Sequence, residues 1–217
     1  TSIDKIKAEY TQGVEKDARD FEARLEELEK RGILEDTLVV YTSDHGELIG
    51  EGGMFGHNGP VHPKLAYVPT VFLHPEINAG RTDSLLSHVD LLPSINTVLD
   101  IDVEWEFDGV SLGEHTSRSF ACTFYENTLT LPTVNRDIDV RYEGVFDSSG
   151  GYGFRRSSVL SAILESIGYS TVGPQRWQVR THFVRNLRSR LRGTSQFGSP
   201  KISEIESRKA LLGYRRG

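Results

Sequence analysis

Leu38-Val39-Val40-Tyr41-Thr42-Ser43-Asp44-His45-Gly46-Glu47 is the segment from which the rest of the chain can be read. Its first four residues form a short, β-rich apolar run, the composition of a strand buried on both faces of a mostly parallel sheet. An acid, an imidazole and a glycine follow directly. In open α/β sheets the chemistry gathers just outside the carboxyl ends of the strands. Asp44 beside His45 at such a place offers a metal ion one hard oxygen and one borderline nitrogen. Gly46 lets the backbone turn sharply past them. Taken alone, the triplet fits a capped turn after a strand equally well.

The context outward from this centre decides between the two. The loop from Gly46 to Lys64 carries Gly50, Gly52, Gly53, Gly56 and Gly59 together with His57, His62 and Lys64. Adaptable backbone with cationic or donor side chains suits a tetrahedral anion. Upstream stands Arg31-Gly-Ile-Leu-Glu-Asp-Thr37, and downstream stand Gly56-His57-Asn58-Gly59 and Tyr67-Val68-Pro69-Thr70-Val71-Phe72. In order and spacing these blocks resemble the second half of the catalytic domain of the sulfatase family, in its Ser-Asp-His-Gly branch, within the alkaline-phosphatase superfamily. Leu85 to Ile95 resembles that family's Val-Ser-His-Val-Asp-Leu-Leu-Pro-Thr segment, and Phe107-Asp-Gly-Val-Ser-Leu112 its Leu-Asp-Gly-Arg-Ser-Leu loop. Ser207 to Tyr214 resembles a Leu-Gly-Tyr ending common in prokaryotic members.

The resemblance implies an α/β fold: part of an alkaline-phosphatase-like, mostly parallel sheet with flanking helices, plus a small C-terminal α+β subdomain with an antiparallel sheet. The expected division is 1–116 and 117–217. It also implies that Asp44 and His45 bind a divalent metal and that His57 contacts the sulfuryl group of a small-molecule or saccharide sulfate ester. Calcium is the first expectation for the metal. Manganese and zinc are the alternatives, because many calcium-dependent members carry Asn where this chain has His45, and nitrogen suits those ions. His62 and Lys64 have weaker claims as ordinary loop residues. The family has Arg-Val-Pro where this chain has Tyr67-Val68-Pro69, so one positive charge is replaced.

The implied reaction is metal-dependent hydrolysis of a sulfate ester by a formylglycine made from Cys or Ser in a Cys/Ser-x-Pro-x-Arg motif. These 217 residues contain no such motif, and Cys122 in Ala-Cys-Thr-Phe reads as a core thiol of a β segment. The nucleophile and formylglycine are therefore expected on an upstream half, with no catalytic nucleophile in this polypeptide and weak metal binding by it alone. The alternatives are a phosphatase, phosphonate hydrolase or phosphodiesterase of the same superfamily, and a non-catalytic sulfatase-like binding domain.

Hydrophobic residues at 37% and charged residues at 26% describe an ordinary globular chain. No apolar run approaches the roughly 20 residues that span a bilayer. The start, Thr1-Ser2, carries no signal pattern, and the compartment stays open with the cytoplasm slightly favoured. The formal charge of −6 is uneven: Pro174 to Gly217 holds 11 Lys+Arg against 2 Asp+Glu, a net of +9, leaving −15 elsewhere. A basic handle for nucleic acid or membrane is one reading. The preferred one is a basic C-terminal subdomain packed on an acidic body, with no nucleic-acid or membrane partner.

Local patterns supply the elements. Ile3, Ile6, Tyr10, Val14, Phe21, Leu25 and Leu28 recur at helical spacing, with Ser2 or Asp4 to cap and Gly32 to stop, so a long helix with one buried stripe is expected. Val68 to Leu73 reads as a strand, and Asp90 as the cap of a helix with Pro93 in its first turn. His88 reads as a structural residue of that turn. Phe120–Tyr125, Asp139–Tyr142 and Gly144–Phe146 read as short strands with a turn at Ser148–Gly151, and Gln175–Arg192 as a basic helix.

Overall fold

Helix α1 runs Ile3–Lys30, with the Ser2 hydroxyl accepting from the Lys5 N–H at 3.2 Å. Gly32, in the left-handed region at φ 67°, lies just past its end. These capping features are the ones the sequence led us to expect. The structure, a computed structural model, describes residues 2–112, 118–131, 136–171 and 182–214. The expected boundary at 116/117 and the first part of the expected basic helix, residues 175–181, lie outside the described residues. The chain divides into two compact units, Thr1–Asp44 with Pro69–Arg118, and His45–Val68 with Ser119–Gly217.

In the first unit, β1 (Val39–Thr42) pairs with a later strand, Thr70–Leu73, in antiparallel register from Val39↔Leu73 to Thr42↔Thr70. The second unit holds β2 (Leu48–Ile49), β3 (Phe55–Gly56) and the single turn α2 (Pro63–Ala66), so the strand Thr70–Leu73 is β4 in chain order. The molecule mixes helix and sheet, but every strand pair among the described residues is antiparallel, unlike the mostly parallel sheet expected. The reason is the path of the chain: the segment between β1 and β4 leaves and returns at the same end instead of crossing over through a helix.

The stripe of α1 is also less covered than expected. No residue of the helix is buried, and Tyr10 and Val14 are exposed. Strands of four residues span about 13 Å, whereas 28 helical residues span about 42 Å. The small sheet reaches one end of the helix, where Phe21 and Tyr41 meet with ring centroids 4.5 Å apart.

Asp90 organises the rest of this unit. It is 1% exposed and precedes α3 (Leu91–Val98). Its carboxylate accepts from the Ser87 N–H at 2.8 Å and the Val110 N–H at 2.9 Å, and pairs twice with Arg118 at 2.5 Å. Ser94 extends the network, donating to the Asp90 carbonyl at 2.6 Å and accepting from the Leu112 N–H at 3.0 Å. Two segments singled out in the sequence, Leu85–Ile95 and Phe107–Leu112, are thereby tied together. His88 is exposed, so the turn is held by Asp90 rather than by His88 as expected.

The second unit is built on a four-stranded antiparallel sheet, β5 (Ala121–Leu131), β6 (Arg136–Asp147), β7 (Gly150–Arg155) and β8 (Thr194–Gly198), in that order. The antiparallel C-terminal sheet is as expected, although the two short segments read at Asp139–Tyr142 and Gly144–Phe146 form one continuous strand. Side chains alternate across β6. Val140, Tyr142 and Phe146 pack with Val61 on one face, and Val145 packs with Phe154 and Leu211 on the other. Among the described residues, the helices α4 (Val159–Thr171), α5 (Phe183–Leu191) and α6 (Glu204–Tyr214) also belong to this unit. No described helix is long and apolar enough to cross a membrane.

At the β6–β7 turn, buried Asp147 accepts from the N–H groups of Ser149, Lys201 and Ile202 at 2.5–2.9 Å. Burial alone would raise its pKa, but these backbone donors hold it below the ordinary value. Asp90 behaves alike: burial opposes ionisation, and Arg118 with the Ser87 and Val110 N–H groups outweighs it. A depressed folded-state pKa contributes stability that is complete above the unfolded value, about 3.9, and lost as pH falls through the folded one. The urea midpoint is therefore expected to stay level from pH 7 to 5 and to drop below about pH 4. An unchanged midpoint at pH 3 would contradict this.

Candidate functional site

The site is assembled by a very short hairpin. β2 and β3 pair as Leu48↔Gly56 and Ile49↔Phe55, and Leu48, Met54 and Phe55 are buried beneath them. The same register carried one pair outward sets Glu47 opposite His57. Directly opposed residues are the closest neighbours of an antiparallel pair, and Glu47 Oε2 lies 3.2 Å from His57 Nδ1. At the base, Gly46 donates its N–H to the Leu65 carbonyl at 3.0 Å. A Cβ at Gly46 would collide with the Lys64 carbonyl oxygen, so close approach of two chains, rather than a turn alone, demands glycine here.

His45, Glu47 and His57 form one cluster, each offering a ligand atom within 4.8 Å of the others. The two imidazoles face one another with centroids 4.2 Å apart. His45 Nδ1 lies 2.8 Å from the Gly46 carbonyl oxygen. A carbonyl only accepts, so Nδ1 carries the proton and Nε2 the lone pair, the tautomer a metal-ligating histidine requires. The Glu47 carboxylate holds the His57 ring through Nδ1, a pattern common behind metal-bound and catalytic imidazoles. The imidazole nitrogen of His45 is a borderline donor of the kind that suits manganese or zinc, and His57 stands beside it on the open side. Exposure rises from the half-buried His45 and Glu47 to the exposed His57, which opens the cluster to a ligand.

Of the residues singled out in the sequence, the structure brings together His45 and His57. Asp44 precedes His45 in the chain and belongs to the first unit, where the Ser43 hydroxyl donates to it at 3.4 Å. His62 caps α2, accepting from the Lys64 N–H at 3.1 Å, and packs edge-on against Phe197. Burial, reinforced by Lys64, pushes its pKa down and outweighs the attraction of Glu51. Lys64 pairs with Glu51 at 2.6 Å. Neither His62 nor Lys64 joins the cluster. Tyr67, at the position of the missing positive charge, donates to the carbonyls of Asp147 and Gly150 at 2.5 and 3.1 Å and fastens the loop to the β6–β7 turn.

Glu47 is the residue that reasoning from sequence missed. Its ten-residue separation from His57 carries no periodic signal, and only the hairpin register joins them. Cys122 lies half-buried in β5 against the Val145–Phe154–Leu211 cluster. Phe124 and Glu126 stand where the formylglycine motif has Pro and Arg, so no step is assigned to it.

The Sulfatase family profile matches residues 22–101. The chain is 32% identical over 219 residues to the low-salt glycan biosynthesis sulfotransferase of Haloferax volcanii, covering 95% of this chain and 53% of that protein. It is 33% identical over 94 residues to arylsulfatase K of Bos taurus, covering 43% of this chain and 17% of that protein. With the N-acetylglucosamine-6-O-sulfatase of Bacteroides thetaiotaomicron it shares 36% over 87 residues, 39% of this chain and 15% of that protein. The chain spans about half the length of the first of these relatives and a smaller part of the others.

Proposed function

Because the chain belongs to the sulfatase family of the alkaline-phosphatase superfamily, we propose that the whole protein is a metal-dependent sulfuric ester hydrolase. Asp44 and His45, consecutive in the chain, hold the ion. His57, its Nδ1 engaged by Glu47, meets the sulfuryl group with the ring's other nitrogen. A divalent ion in such a site supplies Lewis-acid stabilisation of charge on the transferred group. The chain's own part is to fix the His45 tautomer through Gly46, to orient His57 through Glu47 and to keep the Gly-rich loop in place. The observation that carries this reading is the convergence of His45, Glu47 and His57 within 4.8 Å on the segment that matches the family. The nitrogen donor of His45 supports manganese or zinc over calcium. The saccharide-directed names of two relatives favour a saccharide sulfate as substrate.

The test is metal removal from the whole protein. Chelation should abolish hydrolysis of aryl and saccharide sulfates, and manganese or zinc should restore it. Turnover of phosphate esters with none of sulfate esters would transfer the reading to a phosphatase, phosphonate hydrolase or phosphodiesterase. A second reading is favoured by the relative that aligns along 95% of the chain, which is named a sulfotransferase. Hydrolysis and transfer differ in the acceptor, water or a hydroxyl, so labelled donor sulfate appearing on a saccharide rather than as free sulfate would select transfer.

A further inference from the structure

Behind the candidate site lies a charged network almost wholly shielded from water. Arg190 is fully buried, and so is Glu165 apart from 4% of its side chain. Their ion pair is joined by the Tyr142 hydroxyl, which donates to Glu165 at 2.7 Å. Burying an ion pair is a poor route to stability, because desolvation consumes most of the Coulombic gain. Such pairs are better suited to fixing one geometry.

The geometry fixed here is that of the loop carrying His57. Arg190 donates through Nη2 to the Asn58 carbonyl at 3.0 Å, the residue after His57, and through Nε to Asn186 Oδ1 at 2.9 Å. Asn186 in turn donates to the Gly53 carbonyl at 3.4 Å, and Ser189 to the Gly52 carbonyl at 2.9 Å. The Tyr169 hydroxyl donates to the Phe55 carbonyl, while its ring stacks under the guanidinium 4.9 Å away. Four carbonyls of one loop are thus taken by side chains of α4 and α5. The loop backbone has been brought close for this purpose. A Cβ at Gly53 would lie 2.8 Å from the Asn186 backbone nitrogen, and one at Gly59 2.5 Å from Arg190 Nη1.

We propose that α4 and α5 form a cradle that positions His57, with Arg190 as its central positioning residue and the Tyr169 hydroxyl as its second anchor. This rests on the reading of His57 as the anion-binding residue, and neither Arg190 nor Tyr169 touches the substrate. Arg190 supplies several donors in one rigid fork, which a lysine of equal charge cannot reproduce.

The experiment uses the whole protein with three variants. Tyr169→Phe removes only the donor to the loop. Tyr142→Phe makes the same chemical change in the same network, but at a hydroxyl that meets Glu165 and Arg190 and bonds no carbonyl of the loop. Arg190→Lys keeps the charge and loses the fork. The readouts are the thermal midpoint, kcat and KM on a sulfated substrate, and the His57 ring-nitrogen signals in long-range 1H–15N spectra. Tyr169→Phe and Arg190→Lys should shift the His57 signals and lower kcat by about 10- to 100-fold. Tyr142→Phe should lower the thermal midpoint yet leave both unchanged. If Tyr169→Phe and Tyr142→Phe act alike on His57, whether both shift it or neither does, the cradle is merely structural and the proposal falls. Should Arg190→Lys fail to fold, the pair of tyrosine variants decides. If the wild type turns over no sulfated substrate, the functional reading fails, and the His57 signals still test the cradle.

Discussion

Replacing His57 with alanine is expected to lower kcat/KM of the whole protein on a sulfate ester by about 10²- to 10³-fold, the loss usual when one preorganised donor to a developing anion is removed. The side chain is exposed, so the loss should come without a change in thermal midpoint. Glu47→Gln should cost less, about 10-fold, because the amide can still meet His57 but no longer as a carboxylate. His62→Ala is the comparison within the same loop, since His62 caps α2 and packs on Phe197 without entering the cluster. It should leave turnover intact. Wild-type turnover in His57→Ala would refute the assignment of the anion site.

The largest effect on stability is expected at Asp90. Its replacement by alanine removes an acceptor that is 1% exposed and leaves the Ser87 and Val110 N–H groups and the Arg118 guanidinium without it. Breaking a buried pair on one side costs about 3–5 kcal/mol. The lower end is expected here, because the Arg118 side chain is 24% exposed and water can partly replace the lost partner. That is a large share of the 5–15 kcal/mol or so that holds a typical domain. The exposed pair Arg81–Asp83 is the control: both side chains are 93% accessible, and Arg81→Ala should not shift the urea midpoint. If the two variants shift it equally, Asp90 is not the hub described.

Much of this was legible in the sequence where the signal is local. The stripe of α1, the Ser2 cap and the Gly32 stop each act within a few residues, and the helix forms where they place it. Asp90 reads as the start of a helix, and α3 begins at the next residue. The sequence shows it only as a cap, because its role as acceptor for Val110 and Arg118 depends on residues 20 and 28 positions away. Strand pairing failed for the same reason. The apolar run before Asp44 announces a buried strand, yet it carries no information on the direction of its neighbour, and β4 lies antiparallel to it. The two short segments expected at Asp139–Tyr142 and Gly144–Phe146 stand on either side of Glu143. In the folded sheet Glu143 is buried and paired with Arg156 at 2.6 Å, so the strand continues.

By itself the sequence determined the family and named Asp44, His45 and His57 as the candidates for its site. Those are properties of residue types at short, countable spacings. Only the tertiary structure decided that Glu47 stands behind His57, that the Gly-rich loop groups with the C-terminal sheet, and that Arg190 is fully buried with its guanidinium on the Asn58 carbonyl. Each of these pairings closes a loop of chain, ten residues for Glu47 and His57 and 132 for Asn58 and Arg190. Which of the many loops a chain could close is chosen by the burial and hydrogen bonding of the whole. No window of a few residues contains that choice.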